Sequence, residues 1–203
     1  MGTKSDTVVD YRTLYRMMFA DPSYSVHTYD EKQYKFVLRT LGRIPDGLVS
    51  LLDVCSGRGV MLDMIAARFP GVGIQTADLC NFHGRPYPFT EVDLATPEGR
   101  VRLRSLRADV LTCIGSLEHL DESVVEDAVL ALTEPAGWIV MTIGLHSDIR
   151  HGIQLHKTRK TPELWSTLLD KYMVMDTFDV TDGGNLLFVL AESRKGPDEL
   201  DVR

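Results

Sequence analysis

Leu51-Leu52-Asp53-Val54-Cys55-Ser56-Gly57-Arg58-Gly59 ends an apolar run on a carboxylate, turns on two glycines and leads into an amphipathic stretch from Val60 to Phe69. A strand that stops at a glycine turn before a helix sets backbone N–H groups and the positive helix end at the carboxyl edge of a sheet, where nucleotide-like ligands bind. A dinucleotide fingerprint starting at Gly57 requires a third glycine at position 62, where Leu62 stands. Asp53 points the same way. A carboxylate at a strand tip repels a pyrophosphate and suits a ligand that carries an ammonium group.

The next strand, Gly73-Ile74-Gln75-Thr76-Ala77-Asp78-Leu79, ends on an acidic residue nineteen positions after Gly59. That is the spacing at which a carboxylate reaches ribose hydroxyls, and it is preferred here to a solvated turn carboxylate. Phe89-Thr90-Glu91-Val92-Asp93-Leu94 reads as a third strand. Asp93 either faces the ligand or caps the helix expected from Thr96 to Leu106. Ala108 to Leu120 supplies a fourth strand followed by Gly115-Ser116-Leu117-Glu118-His119-Leu120.

These segments resemble the class I S-adenosylmethionine-dependent methyltransferases. Motif I of that family, Asp-x-Gly-x-Gly-x-Gly, matches Asp53-x-Cys55-x-Gly57-x-Gly59, with Cys55 in the place of the first glycine. Asp93 matches the acidic position that many members place near adenine, and Ser116 to Leu120 resembles a Ser-Leu-Glu-His-Leu segment common in the small-molecule enzymes. The resemblance spans Val49 to Met141, with the motifs in the family's order. It implies S-adenosyl-L-methionine as cofactor, held by Asp53, Cys55, Ser56, Gly57, Gly59 and Asp78, and further by Leu79, Asp93, Leu94, Gly115 and Ser116. It also implies a single-domain α/β, Rossmann-like fold: seven mostly parallel strands in the order 3-2-1-4-5-7-6, with helices on both faces and an N-terminal helical cover.

Periodicity organises the rest. Residues 1–45 read as the cover: Val8, Tyr11, Tyr15 and Met18 share a helix face after a cap at Ser5 or Asp6, and a second helix from Asp30 buries Tyr34, Val37, Leu38 and Leu41. Tyr24 to Tyr29 between them is a candidate lid, with His27 and Tyr29 as substrate contacts. Residues 46–194 form the core. There, Val124, Val125, Ala128 and Leu132 mark a helix and Gly137 to Ile143 a buried strand, while Gly144 to Lys160 is a polar loop without clear period. Thr161-Pro162-Glu163 opens a further helix through Leu169, and Met173 to Val180 with Asn185 to Ala191 forms a hairpin. Residues 195–203 are a charged tail, expected to be flexible.

With 203 residues, 44% of them hydrophobic, the chain suffices for one domain with a substantial core. No apolar run reaches the roughly 18 residues of a membrane span, and the N-terminus shows no signal-peptide pattern, so a cytoplasmic protein without a membrane partner is expected. Three cysteines form no close pairs and suit a reducing compartment. A formal net charge of −7 weighs against a general nucleic-acid binder, although Arg150, Lys157, Arg159 and Lys160 gather into a local basic run.

Methyl transfer to an alcohol, phenol or ammonium requires removal of a proton. Histidines titrate near neutral pH, and His119, His146 and His151 follow strands four and five, as does His156, assigned to the substrate. The five-residue steps between His146, His151 and His156 match neither a helix nor a strand face, so no metal site is expected. Cys55, Cys80 and Cys113 read as small residues under the ligand. The leading expectation is O- or N-methylation of a small polar molecule. Two alternatives remain: an RNA, cap or protein methyltransferase using residues 150–160, and a non-catalytic binding or assembly protein.

Overall fold

In the computed structural model, which describes residues 10–21, 31–45, 47–150, 152–181 and 183–194, strands and helices alternate from Ser50 onward. They run β1 (Ser50–Val54), α3 (Val60–Arg68), β2 (Gly73–Asp78), β3 (Phe89–Glu91), α4 (Pro97–Arg104), β4 (Ala108–Ile114), α5 (Glu122–Leu132) and β5 (Ala136–Gly144). Beyond lie a two-stranded ribbon, β6 (Ile149–Arg150) and β7 (Ile153–Gln154), then α6 (Pro162–Leu169), β8 (Met173–Val180) and β9 (Leu186–Ser193). Two helices precede them, α1 (Tyr11–Ala20) and α2 (Glu31–Leu41).

Seven strands form one sheet in the order β3-β2-β1-β4-β5-β9-β8. With the ribbon set aside, this is the expected 3-2-1-4-5-7-6. Strands β1 to β5 pair in parallel, and β9 alone is reversed, antiparallel to both β5 and β8.

Alternation along each strand builds two cores. Leu52, Val54, Leu111 and Cys113 pack with Leu103 of α4, Val129 and Leu132 of α5 and Trp165 of α6. Their neighbours Leu51 and Val110 face the opposite way, onto Val37 and Leu41 of α2 and Leu62 and Ile65 of α3. Each of these side chains is essentially inaccessible, which stabilises the fold by roughly 1.5–3 kcal/mol per residue. Truncating Leu52 or Ile65 to alanine would cost about 2–5 kcal/mol.

Several boundaries differ from the sequence reading. Helix α1 is capped by Asp10, whose Oδ1 accepts from the Arg12 and Thr13 N–H groups, rather than by Ser5 or Asp6. Strand β3 stops at Glu91, and α4 is capped by Thr96, which accepts from the Gly99 N–H, so Asp93 is not its cap. The loop after β5 contains the ribbon, and β9 extends to Ser193. Of the two N-terminal helices, α2 is part of the sheet's packing, whereas α1 buries Leu14 and Met18 on Leu155. Ser5, Asp6, Val8, the segment Tyr24 to Tyr29, Asp30, His151 and the tail 195–203 lie outside the described residues.

Candidate active site

The turn after β1 has left-handed backbone at Cys55 (φ 58), Gly57 (φ 51) and Gly59 (φ 67). Glycine adopts this conformation freely, but at Cys55 it costs roughly 1–3 kcal/mol. The turn is fixed from both sides. Cys55 donates its N–H to the Ala77 carbonyl at 2.7 Å, and Gly57 donates to Asp78 Oδ2 at 2.8 Å. On the outside, Arg85 donates to the Arg58 carbonyl and forms an ion pair with Asp63 in the first turn of α3. A Cβ at Gly59 would stand 2.8 Å from both Arg85 Nη1 and His83 Cβ, so this position requires glycine on two counts.

Asp78 also accepts from the Leu79 N–H, and burial pushes its carboxyl up to about 6. Each of its oxygens retains a second lone pair for a ligand hydroxyl. Asp53 does not reach the ligand space expected for it. It lies 4% exposed beneath the turn, accepts from Thr112 Oγ1 at 2.6 Å, and is pushed by burial to about 7. Its carboxylate fits a structural role in joining β1 to β4.

A cavity of about 440 Å³ opens at the carboxyl ends of the strands, the ligand-binding edge of an open α/β sheet. Cys55 and Gly57 line it from the β1 turn, Asp78 and Leu79 from the end of β2, and Asp93 and Leu94 from beyond β3. Gly115 and Ser116 continue the wall after β4. Asp53, Ser56 and Gly59 do not line it; Ser56 is buried, and Gly59 is covered by Arg85.

Its other end gathers titratable side chains. Glu118 and His119 come from a short 3-10 turn (Leu117–His119), His146 follows β5, and His156 follows the ribbon. The His156 ring lies 4.8 Å from those of His119 and His146, centroid to centroid. Glu118 Oε1 accepts from the Gly144 N–H at 2.7 Å, and burial pushes the carboxyl up to about 7. Gly144 is needed there, because a Cβ would come within 2.6 Å of His156 Cε1. His119, with Nδ1 3.0 Å from Tyr15 Oη, is pushed down by burial to about 3, which makes it a weak proton acceptor. His146 is exposed at the rim, its Nδ1 3.2 Å from the Asn185 carbonyl. The remaining expected residues, His27, Tyr29 and His151, lie outside the described residues.

Several wall residues escape the sequence reading. Tyr15 and Phe19 of α1 and Gln33 of α2 line the cavity, as does Glu118, which the sequence pattern shows only inside the Ser-Leu-Glu-His-Leu segment. The neighbouring Cys113 thiol and burial push the Cys55 thiol up and keep it protonated. The basic run is largely neutralised. Arg150 pairs with Asp148, Lys157 with Asp121 and Lys160 with Glu122.

No protein-family model and no curated protein sequence matches the chain. Solved structures do. An O-methyltransferase family protein from Burkholderia thailandensis superposes with a TM-score of 0.58 at 14% identity, over 86% of this chain and 61% of that one. This chain thus spans about three fifths of that protein's length. The N-methyltransferase NodS from Bradyrhizobium japonicum, in complex with S-adenosyl-L-homocysteine, gives 0.64 at 10% identity over 90% and 98%. The 1,6-didemethyltoxoflavin-N1-methyltransferase of Burkholderia thailandensis, with 1,6-didemethyltoxoflavin and S-adenosylhomocysteine bound, gives 0.62 at 15% identity over 95% and 94%. The fold is the Rossmann-like fold of class I S-adenosylmethionine-dependent methyltransferases. Among the described residues no helix is long and apolar enough to cross a membrane.

Proposed function

We propose that the chain is an S-adenosyl-L-methionine-dependent methyltransferase acting on an oxygen or nitrogen of a small polar molecule. One observation carries this reading: a single cavity has the turn of β1 and the carboxylate of Asp78 at one end and a carboxylate with three imidazoles at the other. Donor and acceptor can therefore lie side by side, the arrangement that displacement at a methyl group needs. The cofactor would be held by Asp78 at its ribose hydroxyls, by Asp93 and Leu94, and by the walls at Cys55, Gly57, Leu79, Gly115 and Ser116. When bound, it supplies a methyl group activated on a sulfonium.

The chain's own residues do the rest. Tyr15 and Phe19 roof the cavity and exclude water, and His146 at the rim is the candidate to take the acceptor's proton and pass it to solvent. The neighbours crystallised with S-adenosylhomocysteine support the cofactor, and the toxoflavin enzyme supports a small acceptor. The paired state of Arg150, Lys157 and Lys160 weighs against a polyanion track through residues 150–160. Calorimetric titration with S-adenosylhomocysteine tests the reading: saturable one-to-one binding is expected, and its absence refutes it.

A further inference from the structure

We infer that Glu118, His119 and His156 form a binding site for one divalent transition-metal ion at the acceptor end of the cavity. One candidate ligand atom from each residue lies within 4.8 Å of the other two, close enough for small side-chain rotations to bring all three onto one ion. Glu118 is 2% exposed, and its Oε2 has no hydrogen-bond partner. A buried carboxylate oxygen left in this state is destabilising, and a cation satisfies it.

The imidazoles are held as ligands are held. His156 Nδ1 lies 2.7 Å from the His146 carbonyl, which can only accept, so Nδ1 carries the proton and Nε2 presents its lone pair. A ring fixed through its second nitrogen by a backbone carbonyl is the usual support of a metal-binding histidine. His119 Nδ1 lies 3.0 Å from Tyr15 Oη, so ligation through Nε2 would keep the ring supported on its other nitrogen. Among the described residues this is the grouping that meets the distance requirement.

Two imidazoles and one carboxylate favour zinc, iron, cobalt or manganese over magnesium or calcium, which prefer oxygen donors alone. Three protein ligands leave open positions. Because Glu118, His119 and His156 all line the cavity, those positions face the space assigned to the acceptor. The fitting substrate class is an acceptor whose hydroxyl oxygen enters the coordination sphere, where its proton is more readily lost to His146 and solvent. That role rests on the methyltransferase reading; the site does not. The five-residue histidine steps carry no metal signal, because these ligands are an adjacent pair and a residue thirty-seven positions later.

Cobalt(II) titration of the full chain, free of chelating buffer, tests the inference. Expected are visible absorption saturating at one equivalent, displacement of that signal by zinc, and a higher melting temperature with zinc. Glu118→Gln and His156→Gln, each verified as folded by circular dichroism, should weaken binding by on the order of 100-fold or more. X-ray absorption on the zinc-loaded parent protein needs no variant and should show two imidazole ligands. Absence of saturable binding, equal binding in both variants, or fewer than two imidazoles would overturn the site. Titrating the same parent protein with S-adenosylhomocysteine separates the two readings. Metal binding without S-adenosylhomocysteine binding upholds the site and refutes the methyltransferase; the reverse refutes the site alone.

Discussion

Asp78 holds the Gly57 N–H on its Oδ2 at 2.8 Å, so the residue that closes β2 also sets the turn that follows β1. Removing the carboxylate therefore acts on the turn and, in the proposed cofactor site, on a bound ribose as well. Asp78→Ala should weaken S-adenosylhomocysteine by roughly 10- to 200-fold, the equivalent of about 1.5–3 kcal/mol for hydrogen bonds to a charged group. Isothermal calorimetry measures it, and unchanged affinity would take Asp78 out of the cofactor site.

Gly59→Ala should lower stability by about 1–3 kcal/mol through its positive φ alone, and further because the new methyl meets Arg85 and His83. Urea denaturation reads the loss. A loss no larger than the backbone cost would mean that Arg85 does not lie over this turn in solution, and a neutral substitution would mean that Gly59 is not left-handed there.

Asp53 gives the pH dependence a sign. Its folded carboxyl is raised by burial from 3.8 to about 7, so the stability it contributes is fully present below pH 3.8 and is lost as pH rises through about 7. Asp53→Asn keeps an acceptor for Thr112 without the charge. Relative to the parent, the variant should gain stability between about pH 4 and 8, by on the order of 4 kcal/mol. Parallel stability curves for the two proteins across that range would show that Asp53 is ordinary in the fold.

His146→Ala should reduce turnover of an identified acceptor by roughly 100-fold or more while S-adenosylhomocysteine affinity stays within a small factor, since general-base help is of that size. Parent-rate methylation by the variant removes His146 from the chemistry. Equal losses of binding and turnover would assign it a structural role at the Asn185 carbonyl.

The sheet was legible because its signals are local and repeated: an apolar run, a turn and a helix, in an order that right-handed crossovers turn into one topology. The turn residues Cys55 and Gly57, the strand end Asp78, and Asp93 and Gly115 just past β3 and β4 could be placed at one edge for the same reason. What failed is whatever depends on distant packing. The two-residue strands Ile149–Arg150 and Ile153–Gln154 are too short to show a period. Asp53 reads like Asp78 in sequence, yet one side chain turns toward Thr112 under the turn and the other lines the cavity. Glu118 looks like a solvated charge until Gly144 and His156 close over it. Arg85 acts on a turn twenty-six positions earlier, a pairing that no spacing rule supplies.

Helix α1 lines the cavity and meets the body through a third, smaller cluster: Leu14 and Met18 against Leu155, Phe19 edge-on to Phe82, the Arg12–Glu91 ion pair, Lys157 over the Tyr11 ring, and Tyr15 on His119. None of these belongs to the two cores that hold the sheet together. Opening this helix should therefore need far less free energy than global unfolding, and its amides should exchange with deuterium well before those of β4. Equal protection of the two would show the roof to be fused to the body. In the proposed enzyme, departure of the spent cofactor would then wait on movement of α1, and the dwell time of a product would be set by a few aromatic contacts on one helix while the sheet stays still.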